Sequence, residues 1–187
     1  MRIISGKFKG KLIDFIKSNT TRPLKDSVKE NIFNVLSHSN LLKVSINNSK
    51  VLDLYSGIGS FGLECLSRNA KKVCFVEQDE IALKILKVNL SNLSIIKKTS
   101  VFEGPIVKFL EKSTKDKFEI FFLDPPFKEN NYLDYLNLIA KKNIFNKNHI
   151  VIIHRNTKTL DNLDSVIKTI IVKKYGRSKI IFGKFLR

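Results

Sequence analysis

The sequence predicts an α/β protein built on a mostly parallel sheet, and three observations carry that prediction. Short β-branched runs alternate with longer segments of 3.6-residue period, the runs are apolar on both faces, and the last two runs follow one another with no helix between them. Strands buried on both faces require helices above and below the sheet. A closing pair without a crossover reads as an antiparallel hairpin at the sheet edge.

In chain order, residues 1–16 read as a short hairpin, with Gly6 and Gly10 at its turns. Arg22-Pro23 leads into a helix from about residue 26 to 37. Asp26 is its expected N-cap, and Val28, Ile32, Val35 and Leu36 form its buried stripe. Together these form an N-terminal extension, residues 1–40, ahead of a main domain, residues 41–187. The parallel strands are expected at 51–55, 72–76, 100–102 (the weakest), 118–123 and 149–154. The helices between them fall at 61–68, 80–92, 106–112 and 132–142. In the second of these, Ile81, Ile85, Val88 and Asn92 recur one turn apart, and Leu83, Leu86, Leu90 and Leu93 widen the stripe. The terminal hairpin pairs residues 166–174 with 179–185 around Tyr175-Gly176-Arg177-Ser178.

Composition narrows the function classes. The 187 residues hold 34 Lys and Arg against 17 Asp and Glu, a formal charge of +17. Such an excess points to a polyanionic partner, most often nucleic acid, or to the Lys-, Asn- and Ile-rich composition that A/T-leaning codons give. No apolar run approaches the ~18 residues that cross a bilayer, and Arg2, Lys7, Lys9, Lys11 and Asp14 interrupt any signal-peptide core. Cys65 and Cys74 have no metal-like spacing, and only three histidines are present, which excludes a disulfide scaffold and argues against zinc. A cytoplasmic protein, with no membrane and no metal, is expected.

Two motifs carry chemistry. Asp53-Leu54-Tyr55-Ser56-Gly57-Ile58-Gly59-Ser60-Phe61-Gly62 follows the first strand and opens a helix. Gly57 and Gly59 permit positive φ and close backbone approach, and Gly62 permits tight helix–strand packing. Glu77 ends the next strand, where a carboxylate accepts both hydroxyls of a ribose. Dinucleotide enzymes share this spacing, but a carboxylate at Asp53 would repel a pyrophosphate and welcome the ammonium of an amino-acid moiety. That charge argument favours S-adenosyl-L-methionine over NAD and makes a dehydrogenase the weakest candidate. The second motif, Asp124-Pro125-Pro126-Phe127, ends the fourth strand at the edge where open α/β sheets hold reacting groups. Its prolines fix an extended loop with carbonyls facing outward as acceptors. Asp124 adds an anionic acceptor and Phe127 a face for stacking, so the set suits the NH2 of a nucleobase.

These residues resemble the class I methyltransferases that modify exocyclic amines of bases. With RIISGKFKGKLI and RPLKDSVKENIFNVL near the start, LECLSRNAKKVCFVE in the middle and YGRSKIIFG at the end, the chain resembles the RsmD family, over residues 2–185. The resemblance implies a Rossmann-like fold with a seven-stranded sheet whose last strand is antiparallel. The activity it implies is methylation of guanine-966 N2 in 16S rRNA, with 16S rRNA or the small ribosomal subunit as partner. Asp53, Tyr55, Gly57, Gly59, Glu77, Gln78 and Gly104 would then bind the cofactor, and Asp124, Pro125, Pro126 and Phe127 would hold the target guanine. Pro105 stands where relatives often carry an Asp or Asn toward the cofactor's adenine. His154-Arg155 stands where relatives tend to be acidic, and reads either as positive charge on the active face or as a solvated edge.

Lys7, Lys9, Lys11, Arg22, Lys25, Lys29 and Arg177 are the expected RNA contacts, with hydrogen bonds from the amine to Asp124 and the Pro125 carbonyl activating it. Two other classes share parts of this pattern. A DNA adenine-N6 or cytosine-N4 methyltransferase uses the same tetrapeptide chemistry but needs length for target recognition, which this chain lacks. A non-catalytic RNA-binding assembly factor would not need Asp53, Gly57, Glu77 and Asp124 intact.

Overall fold

The computed structural model describes residues 1–15, 24–112, 116–126 and 128–186. Seven strands, β1 (Lys50–Leu54), β2 (Lys72–Glu77), β3 (Thr99–Glu103), β4 (Phe118–Leu123), β5 (Phe145–Asn156), β6 (Ile167–Tyr175) and β7 (Ser178–Phe185), form one sheet. Their order is β3-β2-β1-β4-β5-β7-β6. The first five are parallel, and β7 runs antiparallel between β5 and β6. Five helices accompany them: α1 (Asp26–His38), α2 (Ser60–Ser67), α3 (Glu80–Asn92), α4 (Ile106–Glu111) and α5 (Tyr132–Lys142). Every sheet element expected from the sequence is present, and the strand order is that of a Rossmann-like methyltransferase.

Alternation along each strand divides the apolar residues between two cores. On one face Val51, Val73, Phe75, Ile120, Phe122, Ile150 and Ile152 pack with α1, α2 and α3. On the other, Leu52, Leu54, Val76, Phe121, Leu123, Val151 and Ile153 pack with α4 and α5. The N-terminal segment belongs to the first core, because Ile3, Phe8, Ile13, Val28, Ile32 and Phe33 join its cluster.

Four local expectations are corrected. Residues 1–15 form turns with a single antiparallel bridge, Arg2 to Leu12, instead of a strand hairpin. The N–H groups that would extend a ladder bond to α2: Ile4 and Ser5 donate to the Glu64 carboxylate at 2.8 and 2.9 Å, and Phe8 donates to Ser67 Oγ at 2.9 Å. Asp26 lies inside the first turn of α1, after Lys25 at the cap position. On α3 the buried face is Ala82, Leu83, Leu86, Asn89 and Leu90, while Ile81 and Val88 are exposed. Asp79 caps that helix by accepting from the Ala82 N–H at 2.7 Å.

The fourth correction concerns Lys29, which is wholly buried and holds no RNA. Its Nζ donates to the Arg2 carbonyl at 2.8 Å and lies 3.8 Å from Glu64 Oε2 and 3.6 Å from Asp26 Oδ1. Burial pulls its pKa down, opposed by the charges of Glu64 and Asp26. Glu64 is equally buried and also takes Arg68 Nε at 2.9 Å, so this cluster pins the N-terminal segment to α2. Removing one member strands a buried charge. Lys29→Ala is expected to lower the unfolding free energy by about 3–5 kcal/mol in a urea titration.

No helix among the described residues is long and apolar enough to cross a membrane. Among them, no group of His, Cys, Asp and Glu is arranged to hold a metal ion.

Candidate active site

The site forms where β1 and β4 end. Asp53 shares the face of Val51, toward α2, and is the one carboxylate in a strand that is apolar apart from it and Lys50. It is 1% exposed. Oδ2 accepts the Gly62 N–H at 3.0 Å, whereas Oδ1 has no hydrogen-bond partner among the described residues. Burial pushes this carboxyl well up; the Gly62 hydrogen bond opposes the rise, and the charges of Asp124 and Glu77 add to it.

The loop from Tyr55 to Gly59 turns the chain from β1 into α2. Tyr55, Gly57 and Gly59 have φ of 60°, 53° and 86°. A side chain on Gly59 would meet Leu86 Cδ1 at 2.5 Å, and one on Gly62 would meet Phe75 Cε1 at 2.3 Å. The two glycines therefore let α2 and α3 close on the strands. Tyr55, held in a left-handed conformation, donates its hydroxyl to Glu129 Oε1 at 2.5 Å. Glu77, at the end of β2, accepts the Gly57 N–H at 2.6 Å through Oε2, and the Gln78 and Asp79 N–H groups at 2.9 and 2.8 Å through Oε1. The carboxylate that the sequence assigned to a ribose thus also clamps the glycine loop to β2.

Across the sheet edge, Asp124 Oδ1 lies 2.8 Å from His154 Nδ1, and His154 Nε2 lies 2.9 Å from Ser178 Oγ. The Pro126 carbonyl does not face outward as expected. It accepts the Glu129 N–H at 2.8 Å and Arg155 Nη1 at 3.3 Å. Arg155 is 1% exposed; it stacks 4.5 Å from the Tyr132 ring centre and donates Nε to Asp161 Oδ1 at 2.8 Å. Both sequence readings of His154-Arg155 are thereby replaced, since neither residue is a solvated edge and Arg155 spends its charge on Asp161. Phe127 and Arg22 lie outside the described residues.

A cavity of about 910 Å³ joins these parts. Five carboxylates line it, Asp53, Glu77, Asp79, Asp124 and Glu129, against the cations Lys25 and Arg177. Gln78 lines the same cavity. Gly104 instead borders a small adjoining recess beside Tyr135, its N–H donating to the Glu77 carbonyl at 2.7 Å. Lys7, Lys9 and Lys11 are exposed on the segment bound to the carboxyl end of α2, one helix length from the glycine loop.

This lining discriminates between cofactors. An acidic chamber with one buried carboxylate oxygen still unsatisfied suits a guest carrying ammonium and sulfonium charge, and repels a pyrophosphate. The residues present therefore fit S-adenosylmethionine.

Fold and site together define a class I methyltransferase that takes its methyl group from S-adenosylmethionine. Comparison with known proteins then gives the family. Residues 1–184 match the family described as Conserved hypothetical protein 95. The chain belongs to this family, the RsmD family. It is 33% identical to the ribosomal RNA small subunit methyltransferase D of Buchnera aphidicola subsp. Baizongia pistaciae, over 97% of this chain and 88% of that one. To the protein of the same name from Haemophilus influenzae it is 35% identical, over 81% and 76%. Among solved structures, yhhF from Escherichia coli superposes with a TM-score of 0.84 at 24% identity, covering 99% and 97% of the two chains. HI0767 from Haemophilus influenzae gives 0.77 at 28%, covering 100% and 98%.

The sequence offered no sign of the Asp161 cluster. This buried carboxylate accepts from Arg155, from Lys179 Nζ at 2.6 Å, from the Tyr132 hydroxyl at 2.7 Å and from Thr159 at 2.9 Å. Burial pushes its pKa up, but the hydrogen bonds from Lys179, Tyr132, Arg155 and Thr159 outweigh it and hold the group at about 2, against an ordinary 3.8. A carboxyl depressed on folding stabilises the protein above its unfolded pKa and loses that contribution as pH falls through the folded one. The stability gap between wild type and Asp161→Asn should therefore be constant above about pH 4 and close as the pH falls toward about 2. Denaturant titrations across that range measure it.

Proposed function

We propose that this protein methylates the N2 amine of a guanine in the RNA of the small ribosomal subunit, in the cytoplasm. The observation that carries the proposal is the single cavity in which the Asp124-Pro125-Pro126 loop faces Asp53 and the glycine loop. The relatives named ribosomal RNA small subunit methyltransferase D support the choice of RNA. Lys25 and Arg177 at the cavity wall add cations where flanking phosphates would pass. Lys7, Lys9 and Lys11 extend the same sign along the N-terminal segment.

When bound, S-adenosylmethionine supplies a methyl group made electrophilic by sulfonium. The residues of this chain do the remaining work. A guanine amine is a poor nucleophile because its lone pair is shared with the ring. Asp124 and the Pro125 carbonyl accept its two hydrogens, localise the pair on nitrogen and aim it into the cavity. Positive charge grows on that nitrogen as the bond to carbon forms, and a fixed carboxylate stabilises it without waiting for solvent to reorient. Asp124 also stands where the proton leaves the nitrogen. The buried Arg155 on the Pro126 carbonyl keeps the loop in place, so orientation adds to the electrostatic effect. A paired guanine must first leave its stack, at a cost of a few kcal/mol that a loop nucleotide avoids.

The test uses small-subunit RNA from a strain lacking the gene. Asp124→Ala is expected to bind S-adenosylmethionine in calorimetry as wild type does, while methyl transfer falls by about 10²–10³-fold, the loss typical of removing one group aimed at developing charge. Turnover unchanged in Asp124→Ala, or a methyl group mapped away from guanine N2, overturns the proposal.

A further inference from the structure

Resting on that reading of the site, we propose that His154 is a positioning residue for methyl transfer, which sets the Asp124 carboxylate toward the target amine. The argument begins in the strand register. Leu123 of β4 pairs with Ile153 of β5, so Asp124, just past the end of β4, and His154, within β5, stand at the same level and on the same side. A carboxylate oxygen only accepts, so the contact at 2.8 Å is donated by His154 Nδ1–H. The other ring nitrogen, Nε2, lies 2.9 Å from Ser178 Oγ, so the ring is held at both ends. Ser178 opens β7 directly after the Tyr175-Gly176-Arg177 turn, and all three members of the chain line the cavity.

The physical consequence lies in what is fixed. With Oδ1 committed to His154, the carboxylate plane stops rotating and Oδ2 is the oxygen left for the amine. The cation next door, Arg155, projects to the opposite face and pairs with Asp161. Strand alternation thus delivers one donor to the Asp124 carboxylate and another to the loop behind it.

Three variants in steady-state methyl transfer to RNA test this. His154→Leu, of similar bulk but without a donor, should lower kcat by about 100-fold, the loss that a small displacement of a reacting group brings. The RNA KM and the calorimetric affinity for S-adenosylmethionine should stay near wild type. His154→Asn, whose side-chain amide N–H stands where Nδ1–H stands, should restore kcat to within about fivefold of wild type. Ser178→Ala, which removes one hydrogen bond from the ring, should lower kcat by about fivefold, the weight of one hydrogen bond. Wild-type kcat in His154→Leu or in Ser178→Ala overturns the inference alone. So do equal losses in the Leu and Asn variants, the signature of a merely structural role. A wild-type protein that binds S-adenosylmethionine yet moves no methyl group to RNA overturns the functional reading, and this inference with it.

Discussion

The structure depends on one carboxylate placed where a strand should be wholly apolar. Asp53 sits inside the first core with one oxygen tied to the Gly62 N–H and the other without a partner among the described residues. A buried polar atom left in that condition costs on the order of 1–3 kcal/mol. The surrounding fold is arranged to tolerate it. Gly62 brings the donor close, Glu77 clamps Gly57, and the glycine loop leaves a chamber that Asp53 helps to line. Under the proposed function, a cationic guest there would offset the cost of burying this carboxylate.

The opposite wall of the chamber is built by two consecutive residues of β5. Because neighbours on a strand face opposite sides, His154 reaches Asp124 on the cavity side and Arg155 reaches the Pro126 carbonyl and Asp161 on the other. The Asp-Pro-Pro loop is therefore gripped from two faces by side chains whose positions the sheet itself dictates. Rigid strands, not the loop's own residues, set the geometry of the Asp124 carboxylate and the Pro126 carbonyl.

Much of this was legible in the sequence because its signals are local. The alternation of apolar runs with helical periods located every strand of the sheet. The glycine spacing, Glu77 and the tetrapeptide marked which strand ends matter. What could not be read depends on partners distant in the chain. Lys29 has the same appearance as Lys25, and only Glu64, brought alongside by the packing of α1 on α2, makes it a buried structural ion. On α3 the stripes containing Ile81 and Leu83 are equally apolar, and tertiary packing buries one of them. His154 and Arg155 gave two bland readings because their partners lie across neighbouring strands. A signal for the first was present all the same: it stands on β5 at the level where Asp124 leaves β4.

We propose that the buried Asp53 carboxyl favours a positively charged methyl donor. Calorimetric titration with S-adenosylmethionine over a pH series, repeated in buffers of different ionisation heat, tests this most directly. Burial holds the Asp53 carboxyl above its ordinary pKa in the free protein, and a bound ammonium draws it back down. Binding is therefore predicted to release protons and to strengthen as pH rises through the raised range, with that linkage lost in Asp53→Asn. Tight binding with no proton release, or with the same pH dependence in Asp53→Asn, would contradict the account.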